Sequence, residues 1–355
     1  MKNSQPAVPV QLVGSAYERG FLQSKFVGHD AVTSAIEFRL DQNRGVYSNL
    51  SVRKYLEQQW DFAQQHCVEE LAEMVGVADG FGIDTRRLFD FLHMGIVKNL
   101  NTSVLGGDGC STWAVSLPGI GPAVGKNRDF MGEHAGLQTV FLHQNSAWPN
   151  GQRMLCVGSF GAPGAYSSGV NSDGLTIVDT QVATSDYGVG WLRYFLMTRI
   201  LNGFHDVNSA LDYIKSVPHA GGGSLILSDT TGKMAAVDLG HKSISISERL
   251  GGWVARTNHF EAGSVPNRDN GIPIDADSIE RKKSLIAGLE EKDRSIARVI
   301  ALMASHTKNG EEGLCCHGGL GDTRTLSGAI YLCKSRKLYF TNGNPCVGNW
   351  LEYSV

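Results

Sequence analysis

The hydrophobic pattern of this chain changes period once, and sharply, at the turn-prone stretch Gly106-Gly107-Asp108-Gly109. Upstream, "AYERGFLQSKFVGHDAVTSAIEFRL", "VRKYLEQQWDFAQQHCVEELAEMVGVADGFG" and "DTRRLFDFLHMGIVKNL" carry apolar residues three and four positions apart. That spacing predicts mostly helix over residues 10–104, with Asp84 or Thr85 as a helix cap. Downstream, "CSTWAVSL" alternates, "PGIG" is turn chemistry and "PAVGKNRDF" reads as a returning strand. The junction Gly109–Cys110 thus opens a β-hairpin and places a thiol at its leading edge.

Further strands are expected at 139–145, 153–160 and 175–182, and hairpins at 224–239 and 326–343. Helices are expected at 191–202, 206–217, 278–291 and 294–305. Strands joined by tight turns argue for antiparallel sheets rather than a doubly wound parallel one. The class is α+β, with two stacked sheets flanked by helices. Forty-two per cent hydrophobic residues can fill a sizeable core for 355 residues.

A net charge of −3 with no basic stripe gives no reason to expect nucleic acid or a membrane surface as partner. The first residues carry no apolar run of signal-peptide length, and no stretch reaches the ~20 apolar residues of a membrane helix. The expected location is the cytoplasm. Seven cysteines, an odd number, argue against a disulfide framework. "CCH" at Cys315–His317 is too crowded for an ordinary zinc half-site and no second half is visible, so neither metal nor cofactor is expected.

Cys67, Cys156 and Cys333 read as small buried hydrophobes. Cys110 differs. A glycine-rich approach is a poor place to bury a structural thiol, and the facing strand brings Lys126, Arg128 and Asp129 within turn distance. A nucleophilic cysteine needs such a cationic, hydrogen-bonding neighbourhood.

"GCSTWAV" followed by "GKNRDF" resembles the cysteine-type N-terminal-nucleophile hydrolases, in the branch of acyl-coenzyme A:6-aminopenicillanate acyltransferase. Bile-salt hydrolases and penicillin V acylases are more distant cousins. "GSAYERG" near the start, and "GVNSDGL", "RTNHF", "SIER", "GLCCH" and "GNPCVGNWLEY" after the junction, stand in the family's order. The resemblance implies a four-layer αββα sandwich and self-cleavage between Gly109 and Cys110. Residues 1–109 would become a mostly helical chain and 110–355 the nucleophile-bearing chain, both within one structural domain.

The resemblance further implies an autoproteolytically activated amidohydrolase working through an acyl-cysteine, or alternatively an acyltransferase. The new α-amine of Cys110, with an ordinary pKa of about 7.7–8.0, would take the thiol proton. Asn171 and Asn258 would serve the oxyanion or the amine, Asp129 would orient the amine and Arg281 would favour the thiolate. The family's usual Arg position holds Lys126, so either Lys126 or Arg128 supplies the cation. Tyr166 and Trp191 are expected to line the substrate pocket.

The expected partners are a small-molecule amide or acyl substrate and the two cut chains for each other, with a homo-oligomer left open. His259 and His317 read as structural. A papain-like Cys110–His259 pair without processing, and a non-catalytic ligand-binding relative, are the competing readings.

Overall fold

The computed structural model describes residues 7–98, 109–148, 151–267, 274–306, 313–318 and 322–355. The helical reading of residues 99–104, and the glycine-rich approach up to Asp108, lie outside these. After a short strand β1 (Val10–Val13), the N-terminal third is helical as its periodicity predicts: α1 (Ala16–Leu22), α2 (His29–Gln42), α3 (Arg44–Tyr47), α4 (Leu50–His66), α5 (Val68–Phe81), α6 (Thr85–Leu92) and α7 (Met94–Val97). The "GSAYERG" motif has a local cause. Ser15 and Glu18 form a reciprocal capping box at the start of α1. Gly20 lies so close to α5 that an added Cβ would meet the Glu73 carbonyl oxygen at 2.0 Å. Asp84, one of the two expected caps, accepts from the Arg87 N–H and starts α6.

The hairpin strands follow as β2 (Cys110–Leu117) and β3 (Gly121–Met131), then β4 (Gln138–Gln144), β5 (Arg153–Ser159), β6 (Ser168–Asn171) and β7 (Thr176–Gln181). Helices α8 (Arg193–Gly203) and α9 (Val207–Ser216) precede β8 (Gly223–Ser228), β9 (Lys233–Leu239), β10 (Ile244–Leu250) and β11 (Trp253–Arg256). The chain ends with α10 (Ala276–Glu290), α11 (Ile296–Met303), β12 (Thr323–Leu332), β13 (Lys337–Asn342) and β14 (Leu351–Ser354).

One sheet has the order β1-β4-β5-β6-β7-β8-β9-β10 and the other β11-β2-β3-β12-β13-β14. The pairings are antiparallel except β1 with β4, which is parallel. The sequence reading missed β1, β6, β10, β11 and β14. Four of these are four-residue strands, too short for alternation to register, and β10 is an edge strand whose second half is exposed.

Three buried clusters define the layers. Ala114, Val124, Val178, Ile226 and Ala329 belong to an apolar slab drawn from both sheets. The other face of the eight-stranded sheet packs on helices from both sides of residue 109, including Met74, Phe89, Phe195 and Leu211. The other face of the six-stranded sheet packs on α10 and α11 through Trp113, Leu285 and Val299. The layers are helix, sheet, sheet, helix: the αββα sandwich expected from the motifs. Among the described residues no helix is long and apolar enough to cross a membrane.

Candidate active site

Strand β3 states the problem that the site solves. Lys126, Asn127, Arg128 and Asp129 follow one another, and none is more than 5% exposed. Buried charges are costly unless paired and hydrogen-bonded. Alternation sends Lys126 and Arg128 to the face shared with Cys110 and Thr112, their β2 partners being Arg128↔Cys110 and Lys126↔Thr112. Asn127 and Asp129 take the other face.

On the first face, the Lys126 ammonium donates to the Asp179 carboxylate, to the Asp179 carbonyl at 2.8 Å and to the Ser167 carbonyl at 3.3 Å. Arg193 Nε donates to the other Asp179 oxygen at 2.6 Å. Burial works against the charge of Asp179, but the two cations hold its carboxyl below the usual range. Burial pushes the Cys110 thiol up, with Lys126 the strongest opposing influence. Arg128 instead spreads over the rings of Tyr166 (4.8 Å) and Phe130 (5.1 Å), and donates to Gln138 and Ser159. Of the two cations of β3, Lys126 is the one that opposes the upward push on the thiol.

On the second face, the Asp129 N–H donates to the Gly109 carbonyl at 2.8 Å. Its carboxylate accepts from Thr325 Oγ1 at 2.6 Å. Burial raises its pKa to about 6, against the pull of Arg281. A Cβ at Gly109 would sit tightly against the Asp129 side chain, 3.0 Å from Oδ2.

The Cys110 backbone N–H donates to Asn258 Oδ1 at 2.8 Å, and Asn258 Nδ2 donates to the Gln181 carbonyl. Arg281 closes the ring, with Nη2 on Asn258 Oδ1 (2.9 Å) and Nη1 on the Cys110 carbonyl (2.7 Å) and Ser111 Oγ. Its own Nε is held by Asp277, one turn back on α10. Read from the sequence, "ERKK" also fits a solvated helix face, yet Arg281 is 4% exposed.

Gly109, Cys110, Lys126, Asp129, Asn258 and Arg281 are thus brought together. Asn171 is not placed with them. It spends its amide on the carbonyls of Leu201 and Phe204 and its oxygen on the N–H groups of Asp173 and Leu175. It folds the β6–β7 turn onto the end of α8, as the turn chemistry of "NSDG" requires.

Tyr166 packs at a tilt against Tyr194, ring centroids 4.4 Å apart, beneath Arg128 and next to the site. Trp191 packs on Tyr213 under the Arg199 guanidinium, within the helical layer. His259 is turned to Ser278 at 2.8 Å and Thr257 at 3.3 Å rather than to Cys110, as a structural histidine would be.

Sequence reasoning missed Asp179, Arg193 and Thr325. Asp179 left a signal, a carboxylate inside the apolar strand "LTIVDTQV". Arg193 and Thr325 left none, because their roles depend on which strands meet. Cys67, Cys156 and Cys333 are buried, and burial raises each thiol, Cys333 to about 11.

Comparison with known proteins adds three findings. No curated protein sequence matches the chain. Among solved structures, a mutant of the conjugated bile acid hydrolase from Clostridium perfringens is similar at 12% identity and a TM-score of 0.46, over 69% of this chain and 97% of that one. Penicillin V acylase from Agrobacterium tumefaciens is similar at 13% identity and 0.40, over 66% and 83%. The family model described as acyl-coenzyme A:6-aminopenicillanic acid acyl-transferase matches residues 118–346, a span that carries Lys126, Asp129, Asn258 and Arg281. With that match over well more than half its length, the chain belongs to this family of acyl-transfer enzymes.

Proposed function

We propose that the protein is a self-processing amidohydrolase whose nucleophile is Cys110, freed as a new N-terminus by cleavage after Gly109. The observation that carries this reading is the treatment of one peptide bond. The Gly109 carbonyl accepts from the Asp129 N–H, while the Cys110 N–H is held by Asn258, which is held in turn by Arg281. The first bond continues the β2–β3 ladder by one residue, whereas the side-chain clamp from Asn258 and Arg281 is one that the ladder does not supply.

In the first reaction Cys110 Sγ attacks the Gly109 carbonyl carbon. Negative charge develops on the Gly109 oxygen, where the Asp129 N–H already points. The C–N bond breaks, the Cys110 nitrogen takes a proton, and a thioester joins Gly109 to the sulfur. Water hydrolyses that thioester, leaving a Gly109 carboxylate and a free α-amine on Cys110.

In the second reaction the amine accepts the thiol proton, since its ordinary pKa lies near neutrality. The thiolate attacks the substrate's amide carbonyl, the amine leaves with a proton, and water resolves the acyl-cysteine. Asn258 keeps the α-amine in place. Lys126, with Asp179 and Arg193 fixing it, stabilises the thiolate. Tyr166 and Arg128 form the wall that the acyl group meets.

A second reading, acyl transfer from a thioester to an amine, is favoured by the activity in the family's description. The two share every step up to the acyl-cysteine and differ in whether water or an amine resolves it.

The test is the intact mass of the purified protein under denaturing, reducing conditions, beside Cys110→Ala. The expected result is two chains in the native protein, broken between Gly109 and Cys110, and one chain in the variant. A single native chain that still turns over amides would sink the proposal and return attention to a cysteine–histidine pair. Adding an amine acceptor during turnover separates the two readings: acylated amine marks the transferase, free acid alone the hydrolase.

A further inference from the structure

"GLCCH" and "GNPC" stand apart from the proposed chemistry, and the fold brings them together. His306 follows α11, Cys315 and His317 lie in the 313–318 segment, and Cys346 sits between β13 and β14. One ligand atom from each lies within 4.8 Å of all the others. The half-site missing from the sequence is therefore split: His306 stands nine residues upstream of Cys315, and Cys346 arrives from the last hairpin.

We propose that His306, Cys315, His317 and Cys346 form a tetrahedral structural zinc site. The distances are those of a metal's coordination shell. Cys315 Sγ lies 3.6 Å from Cys346 Sγ and 3.7 Å from His317 Nε2, and His317 Nε2 lies 3.2 Å from Cys346 Sγ. Zinc bonds of ~2.3 Å to sulfur and ~2.0–2.1 Å to nitrogen give tetrahedral edges of roughly 3.8 Å between sulfurs and 3.5 Å between sulfur and nitrogen.

Two thiolates and two imidazoles select zinc over the oxygen-seeking magnesium and calcium. On binding, each thiol releases one proton to solvent, the imidazoles bind neutral, and the complex carries no net charge. All four positions are protein ligands, so no place is left for a substrate. Asn344 completes the surroundings: its Nδ2 donates to Cys315 Sγ (3.5 Å) and to the Cys316 carbonyl (2.6 Å), and its Oδ1 is held by Arg324 at 3.0 Å. A ligating sulfur ordinarily receives such an N–H. A Cys315–Cys346 disulfide is the competing use of the two sulfurs, but it gives the two histidines no reason to converge on them.

The site also has something to hold. Cys316 N–H donates to Thr325 Oγ1 at 2.8 Å, and Thr325 N–H donates to the Cys316 carbonyl at 2.9 Å. Thr325 in turn holds Asp129. Zinc at the neighbouring residues would pin the segment that backs the active-site carboxylate.

The experiment measures metal content and free thiols in the full-length protein purified without chelator, and again after dialysis against zinc. The expected result is about one zinc per chain, lowered at least ~tenfold in Cys346→Ser and retained in Cys316→Ser. Cobalt exchanged into the site should show the visible bands of a tetrahedral ion with thiolate charge transfer, absent in Cys346→Ser. His317→Ala, at an exposed position, repeats the test should Cys346→Ser fail to fold. Folded protein that takes up no zinc with all seven thiols free overturns the proposal. So does a Cys315–Cys346 peptide two hydrogens lighter than its reduced form. Zinc kept in both Cys346→Ser and His317→Ala would equally overturn the ligand assignment.

Discussion

The segments 169–175 and 256–260 each present an asparagine in a short polar motif, and both asparagines donate and accept hydrogen bonds. The engagements differ in reach. Asn171 bonds within its own turn and to the end of α8, at most 33 residues away. Asn258 sits just past the edge strand β11 and meets Cys110, 148 residues earlier in the chain. The first satisfies orphan backbone groups where two strands reverse; the second closes a contact that nothing local demands. Only the second is a candidate for chemistry, and a motif alone does not separate the two.

The comparison can be broken by substitution. The largest effect belongs to the residue that Asn258 serves: Cys110→Ala should lose chain cleavage and turnover together, read by intact mass and by amide hydrolysis. Asn258→Ala should slow processing or turnover by about 10²–10³-fold, the range for losing one preorganised polar partner at a reacting group, a loss that persists per folded molecule. Asn171→Ala should do the reverse. It strands the Phe204 carbonyl and the Leu175 N–H, costing about 1–3 kcal/mol of stability, while activity per folded molecule stays at the native level. A turnover defect in Asn171→Ala as deep as that of Asn258→Ala, at unchanged Tm, would put Asn171 back in the reaction.

Asp129 sharpens the contrast from the other side of the peptide bond. Its folded pKa of about 6 lies above the ordinary 3.8, and burial is the main cause. Protonation therefore favours the folded state. The contribution is fully present below pH ~3.8 and is lost as pH rises through about 6, on the order of 3 kcal/mol across the window. In the Cys110→Ala background, where no new amine forms beside it, adding Asp129→Asn should remove that loss. Denaturant unfolding at pH 4 and pH 7 compares the two proteins, and an equal pH dependence in both would mean that Asp129 ionises freely in the fold.

The layers were legible because they rest on periodicity, which switches at the right place and carries through the β2–β3 hairpin. The short strands β6, β11 and β14 were not, since four residues hold two alternations at most. The site was legible where residues cluster in sequence, from Gly109 to Asp129, and where a resemblance supplied Asn258 and Arg281. It was illegible where partners come from distant elements: Asp179 and Thr325 gain meaning only from the order in which β7, β2, β3 and β12 pack, and Arg193 from where α8 meets β7. The histidine–cysteine cluster was hidden for the same reason, its ligands spread over 40 residues and three elements.

The smallest effect expected separates the two cations of β3, which the sequence left as alternatives. Lys126 is paired with Asp179 and opposes the upward push of burial on the thiol, whereas Arg128 lies on Tyr166. Lys126→Met removes the charge that opposes the upward push of burial on Cys110. The midpoint for alkylation of Cys110 should move to higher pH, and labelling at neutral pH should slow by about tenfold, one pKa unit's worth. Arg128→Gln should leave that midpoint in place and show itself in KM, because what it loses is a guanidinium packed on the acyl wall. The charge at position 126 would then tune the nucleophile while the charge at 128 shapes what the nucleophile meets. A midpoint that moves with Arg128 and not with Lys126 would reverse the assignment, and it would mean that the Asp179 carboxylate neutralises Lys126 so fully that the thiol no longer senses it.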